Sequence, residues 1–159
     1  MTPQEIQEKV KVKFGSAVLE FKDAPPSDPF IKVSPSGVRD LAAFLRTDPD
    51  LQFDYLMCLS GVDYNNGNLG AVYSLYSMEK RHKITLKVEV PKADPKVPSV
   101  ESIWRAADWH EREAYDLVGI FFTGHPDLRR ILCPYDWEGH PLQKDYKLPE
   151  FYQGMKVPY

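Results

Sequence analysis

Two runs of strict alternation set the frame for this chain. Leu69, Ala71, Tyr73 and Leu75 occupy every second place in one run, and Ile84, Leu86, Val88 and Val90 do so in the other. Lys83, Thr85, Lys87 and Glu89 fill the gaps of the second run, so that strand has one face for a core and one for water. A short polar turn, Glu79-Lys80-Arg81-His82, joins the two. Upstream, Phe53 to Val62 reads as a largely buried strand. Asn65-Asn66-Gly67-Asn68 follows it with the Asn-Gly pair of a hairpin. Three such strands predict an antiparallel meander, and its apolar face demands a cover.

Helical patterns supply that cover. Residues 2–14 carry Ile6, Val10 and Phe14 at helical spacing. Ser34-Pro35 reads as a helix start, with Ser as cap and Pro at the first helical position. Val38, Leu41, Ala42 and Leu45 then share a face, and the helix should stop near Thr47, before Pro49. Ser99 is expected to cap a third helix running to about Val118, with Ile103, Ala107, His110, Ala114 and Leu117 on one side. Ala17, Leu19 and Phe21 alternate as in a strand, and Phe30–Val33 reads as another. The segment DAPPSDP at 23–29 is a turn between them, and PKADPKVP at 91–98 an irregular connection. The fold class is therefore α+β: a single domain, a mostly antiparallel sheet with helices packed on it, and an extended C-terminal segment.

That last segment departs from the pattern. From Phe122 onward prolines at 126, 134, 141, 149 and 158 and glycines at 124, 139 and 154 interrupt every candidate element. Structureless stretches longer than about 12–15 residues are uncommon in compact domains and are usually functional or disordered. Disordered tails are poor in aromatics, whereas this one holds Phe122, Tyr135, Trp137, Tyr146, Phe151, Tyr152 and Tyr159. It carries five Lys/Arg against five Asp/Glu, a balance suited to protein contacts. The reading is a core domain over residues 1–121 and a strap over 122–159 that lies on its own domain or on another protein.

Bulk properties narrow the function classes. The 159 residues suffice for one domain, and 43% hydrophobic content can fill its core. A net charge of -3 with both signs interspersed offers no basic face for nucleic acid. No run approaches the roughly 18–20 apolar residues of a membrane span, and the N-terminus lacks the apolar run of a signal peptide. An intracellular protein is expected, reaching a membrane only through a partner. Cys58 and Cys133 are read as free thiols, and neither sits in a CxxC.

Several constellations invite chemistry and fall short of it. His110-Glu111-Arg112-Glu113 begins like a zinc-protease helix, but position 114 is Ala where a second His is required. Glu111 and Glu113, two apart on a helix, point away from each other. Glu101–Arg105, Asp108–Arg112 and Arg112–Asp116 are spaced as salt bridges worth about 0.3–0.5 kcal/mol each when exposed. A sharper alternative has part of this charge clamping the tail or a partner. His125, His140 and Cys133 could ligate a metal, but nothing sets their geometry, and hydrogen-bonded turn histidines are the plainer account. Arg129 and Arg130 lack a glycine-rich loop for phosphate and more simply pair with carboxylates. No nucleophile elbow, Walker loop or dinucleotide fingerprint occurs, so no catalytic, cofactor-binding or metal residue is assigned.

The stretch Glu111 to Tyr146 nonetheless resembles a known family, the 30-kDa subunit of respiratory complex I (NDH-1). That signature begins Glu-Arg-Glu, followed by an acidic residue, two apolar residues, then His or Lys, a basic or proline position and two apolar residues. Glu111, Arg112, Glu113, Asp116, Leu117, Val118, His125, Arg129, Ile131 and Leu132 occupy those places. The likeness continues through Asp136-Trp137-Glu138-Gly139-His140-Pro141-Leu142 and Lys144-Asp145-Tyr146. Gln143 stands where family members commonly have Arg, which puts one charged contact in doubt. The resemblance implies a cofactor-free scaffold in the peripheral arm of a proton-translocating NADH:quinone oxidoreductase. FMN, iron–sulfur clusters and quinone would then lie on other subunits. It implies a position on the cytoplasmic side of the membrane, with the tail wrapped onto the 49-kDa-type subunit that helps form the quinone pocket. Glu111, Arg112, Glu113, Asp116, His125, Arg129, Arg130, Asp136, Trp137, His140, Lys144, Asp145 and Tyr146 are then signature and subunit-interface positions. Two readings compete with it. One is the equivalent subunit of a related membrane hydrogenase or ferredoxin- or F420-linked dehydrogenase. The other is a free-standing metal enzyme built on His110, His125 and His140.

Overall fold

A computed structural model describes residues 1–23 and 28–157. Its element order is α1 (Pro3–Phe14), β1 (Val18–Lys22), β2 (Phe30–Val33), a 3-10 turn (Pro35–Gly37), α2 (Val38–Thr47), β3 (Tyr55–Asp63), β4 (Asn68–Tyr76) and β5 (Lys83–Pro91). Then come β6 (Lys96–Pro98), α3 (Ala107–Val118), β7 (Phe121–Thr123), β8 (Phe151–Tyr152) and β9 (Met155–Lys156). The architecture is α+β, as expected. β1 to β5 form one sheet in the order β1-β2-β5-β4-β3, antiparallel except for the parallel pair β2/β5. The meander β3-β4-β5 is present, and the Asn65–Gly67 turn closes it with left-handed residues at Asn65 and Gly67.

Alternation predicted the core well. Leu69, Ala71, Tyr73, Leu75, Ile84, Leu86, Val88 and Val90 are all buried, and they pack with Ile6 and Val10 of α1 and with Val38, Leu41, Ala42 and Leu45 of α2. Each such aliphatic side chain contributes about 1.5–3 kcal/mol of burial. α1 opens on a full capping box: Thr2 accepts from the Glu5 N–H, and Glu5 accepts from the Thr2 N–H. α3 lies across β3, and Gly61 permits it. A Cβ there would stand 3.0–3.1 Å from Val118 and Ala114.

Five expectations need correction. β3 is an edge strand, with Tyr55, Met57, Cys58 and Ser60 exposed, because it has a neighbour on one side only. Leu19 is exposed, since a register break between Val18 and Glu20 turns Val18 and Phe21 inward instead. Ser34 makes no side-chain cap, because a 3-10 turn at Pro35–Gly37 separates it from α2. α3 starts at Ala107 rather than Ser99. Trp104 is buried and donates its indole N–H to the Phe53 carbonyl at 2.8 Å, so residues 99–106 fold inward as turns. The 91–98 connection contains β6, which pairs in parallel with β7. Phe122 of β7 is 1% exposed. The predicted turn at 23–29 lies largely outside the described residues. Among the described residues, no helix is long and apolar enough to cross a membrane.

Candidate functional site

α3 ends at Gly119, whose φ of 91° is left-handed and whose N–H returns to the carbonyls of Ala114 and Tyr115. A helix end leaves its last carbonyls without internal partners. Here the chain that follows supplies them. His140 Nδ1 donates to the Asp116 carbonyl at 2.9 Å, and Arg130 reaches the same oxygen at 3.2 Å. The Leu142 N–H donates to the Leu117 carbonyl at 2.9 Å, and the Gln143 amide to that of Val118 at 2.7 Å. Gln143 thus fills a donor role without a charge.

The Asp116 side chain completes this fastening. It is fully buried. One oxygen takes a hydrogen bond from Arg130 at 2.7 Å; the other accepts the backbone N–H groups of Ile131, Leu132 and Cys133 at 3.0, 2.7 and 2.8 Å. Burial alone would raise its pKa. The three N–H groups and the guanidinium overcome that and hold it at about 2. Arg130 also donates to the Gly139 carbonyl at 2.9 Å, so one Asp–Arg pair ties together three points of the strap.

Farther along, the strap closes on itself. Trp137 donates to the Tyr146 hydroxyl at 2.9 Å, and its ring stands 5.0 Å from that of Tyr152. Tyr152 donates to Asp136 at 2.8 Å. The Lys144 N–H donates to Asp63 at 2.9 Å, and Asp145 pairs with Lys92. The β8–β9 hairpin ends the described strap.

Glu111 faces the opposite way, into the domain. It is fully buried, and accepts the Ser99 hydroxyl at 2.6 Å and the Val100 N–H at 2.7 Å. Burial raises its pKa to about 7 despite those two donors, and the charges of Glu101 and Asp108 push the same way. His125 is enclosed beside it. The Asp127 N–H donates to Nδ1 at 3.0 Å, which leaves Nε2 as the protonated nitrogen; it donates to the Asp108 carbonyl at 3.2 Å. Arg112 lies over the Trp109 ring at 5.4 Å and donates weakly to the Arg129 carbonyl at 3.4 Å. Arg129 pairs with Asp127 at 2.9 Å. Of the helix pairs expected from spacing, Glu101–Arg105 forms. Asp116 turns to Arg130 instead of Arg112, because the strap offers it more donors.

The sequence-predicted positions therefore separate. Asp116, Arg130, Trp137, His140 and Tyr146 fasten the strap, Asp136 anchors the final hairpin, and Lys144 and Asp145 tie it to the hairpin end of the sheet. Glu111 and His125 hold the N-terminal side of α3, and Glu113 remains exposed. Among the described residues, no group of three or more His, Cys, Asp or Glu side chains is placed to hold a metal. Asp63, Lys92 and Gly119 escaped the sequence reading, and Ser99, expected there as a helix cap, instead donates to Glu111. Only Gly119 had a local signal, as a glycine just past a helical run.

A family profile described as "Respiratory-chain NADH dehydrogenase, 30 Kd subunit" matches residues 31–152. An NADH-quinone oxidoreductase subunit of Chloroherpeton thalassium is 53% identical over 151 residues, covering 94% of this chain and 63% of its own length. Its counterpart in Chlorobium phaeobacteroides is 50% identical, covering 94% of this chain and 92% of its own. The chain is also similar to a trypsin-resistant fragment of Nqo5, at 27% identity and a TM-score of 0.68 over 80% of this chain and all of that one. It shares its fold with a chain in a membrane-bound sulfane sulfur reductase, an archaeal respiratory membrane complex, at 23% identity and a TM-score of 0.75, covering 91% of this chain and 85% of that one. With three-quarters of its length under the profile and relatives at 50% identity or more, the chain belongs to the 30-kDa subunit family of respiratory-chain NADH dehydrogenase.

Proposed function

We propose that this chain is a non-catalytic scaffold subunit of the peripheral arm of a proton-translocating NADH:quinone oxidoreductase. In this reading it holds no FMN, iron–sulfur cluster or quinone. It supports electron transfer from NADH to quinone by fixing its neighbours, chiefly the 49-kDa-type subunit at the quinone site, on the cytoplasmic side of the membrane. The observation that carries the reading is the state of the strap. Arg130, His140 and Gln143 fasten it to the end of α3, yet Leu132, Tyr135, Leu142, Leu148, Phe151 and Met155 remain exposed. A segment held in shape with its apolar side chains outward has the anatomy of a docking surface. The fold it shares with a chain of the sulfane sulfur reductase is compatible with the equivalent subunit of a related complex. The 50–53% identities to NADH-quinone relatives favour the NADH-linked assignment.

The test keeps the fastening intact. A double variant, Tyr135→Ala with Phe151→Ala, removes exposed rings alone. It is expected to weaken association with the co-expressed 49-kDa-type subunit by at least about tenfold, as loss of aromatic interface anchors does, with the melting temperature unchanged. Undiminished association would refute the docking role.

A further inference from the structure

A reactive pairing lies at the far end of the sheet, away from the signature. The chain has three asparagines, Asn65, Asn66 and Asn68, and all three lie at the turn between β3 and β4. Asn66 precedes Gly67, and both are exposed. The Asn66 Oδ1 accepts the Asn68 N–H at 3.0 Å. Gly67 is left-handed, with a φ of 87°, and a Cβ placed on it would meet nothing within 4 Å. The Lys92 N–H donates to the Gly67 carbonyl at 2.9 Å, whereas the Gly67 N–H has no acceptor among the described residues.

These are the parts of an intramolecular acyl transfer. A backbone nitrogen whose N–H has no acceptor is free to lose its proton to water and attack the side-chain carbonyl one residue back. Attack builds negative charge on Oδ1, where the Asn68 N–H already donates, and a donor fixed at a developing oxyanion lowers the barrier. Nucleophile and target sit on adjacent residues, so the step is unimolecular. The missing side chain at 67 leaves the approach open. We propose that Asn66 is a site of spontaneous deamidation in the folded protein, reacting through a cyclic imide with Gly67. The Gly67 nitrogen bonds to the Asn66 Cγ, the bond from Cγ to the side-chain nitrogen breaks, and ammonia leaves with the proton that Gly67 gave up. Water then opens the imide. Opening at Cγ gives aspartate; opening at the main-chain carbonyl gives isoaspartate, with the chain rerouted through Cγ. One water is consumed, one ammonia is released, and nothing is oxidised or reduced. The other two asparagines are poorer candidates. Asn65 is followed by Asn66, whose side chain crowds the attacking nitrogen. Asn68 has its side-chain amide held by Glu89 at 2.7 Å and is followed by the buried Leu69. Either product sets a carboxylate where an amide faced Glu89, whose proton affinity is lowered by Lys32 first and then by the Asn68 and Asn66 amides.

The experiment incubates the full chain in mildly alkaline buffer and follows its peptides by mass spectrometry. Exchange of the amide for a carboxyl adds about 1 Da, and chromatography separates the aspartyl from the isoaspartyl product. The gain is expected in the peptide holding Asn66, with both products present and a rate that rises with pH. Asn66→Gln should abolish it, because glutamine would have to close a larger ring. The rate in the folded chain should lie within about tenfold of the rate in guanidinium chloride, since the turn is already open to water. A site that reacts only on unfolding would be slowed by about a thousandfold or more. Suppression beyond tenfold, or a rate that climbs with denaturant below the unfolding transition, overturns the proposal. Aspartate without isoaspartate also overturns it, since that is direct hydrolysis of the amide, as does an earlier gain at Asn65 or Asn68.

Discussion

The sheet domain and the strap are stabilised by different physics. From Phe30 to Thr123 the chain is ordered by apolar burial: nearly every inward side chain of β4 and β5 is removed from water. From Gly124 to Val157 it buries little and is ordered by hydrogen bonds, and most of those that tie it to the rest of the domain are directed at one turn of one helix. Burial is distributed and degenerate, so the loss of one side chain is shared by many neighbours. The strap's attachment is concentrated, and a single carboxylate carries four of its bonds. A segment built this way can have a fixed shape while keeping its hydrophobic side chains available.

The comparison is broken most forcefully at Asp116. Asp116→Ala leaves Arg130 without its counter-charge and orphans three N–H groups, at about 3–5 kcal/mol. The loss should be local: hydrogen exchange quickens over residues 128–145 while β4 and β5 stay protected. Leu86→Ala, of similar cost at about 2–5 kcal/mol, should instead lower protection everywhere. Equal deprotection of sheet and strap by Asp116→Ala would show that the two regions are one cooperative unit. Gly119→Ala is next, at about 1–3 kcal/mol. The left-handed φ is unfavourable for alanine, and its Cβ would stand 2.7 Å from the His140 ring. Strap protection should fall with it, as measured by the same exchange experiment.

The smallest effect separates the two acids of α3. Glu111 binds its proton more tightly folded than unfolded, with a pKa of about 7 against an ordinary 4.5. Between those values the unfolded chain has lost a proton that the folded chain keeps, so this group makes stability fall as pH rises through that window. Asp116 runs the other way: its stabilisation is present above the ordinary 3.8 and is lost as pH falls toward 2. Glu111→Gln should therefore gain melting temperature over wild type on going from pH 5 to pH 8, by a few degrees. A difference independent of pH would mean that Glu111 is not the group titrating there.

Periodicity was a good guide wherever one face of an element is buried. β4, β5, α1 and α2 were legible for that reason, to within a residue or so at most ends. It failed where another force decides: at Leu19, where a bulge re-aims the strand; at 99–106, where a buried indole bends the chain; and at β6 and β7, too short to show alternation. The strap's internal wiring was hidden because its bonds join residues with no sequence relation, such as Asp116 with the N–H groups of 131–133, or Lys144 with Asp63. The spacing of the acids and bases on α3 suggested neighbours along the helix. The actual partners of Asp116 lie well beyond the next helical turn, because a bend of backbone donors outcompetes an exposed side chain.

Both outer strands of the five-stranded sheet, β1 and β3, carry a register break. Subunits of large assemblies are made one at a time, and each must wait in a crowded solution with its contact surfaces bare. A flat, unbroken sheet rim would offer every waiting copy a template for stacking onto the next. Kinked at both rims, this one gives a newly made copy little to polymerise on. The molecule can then carry the exposed apolar side chains of its strap without adding sheet-to-sheet stacking to the hazard.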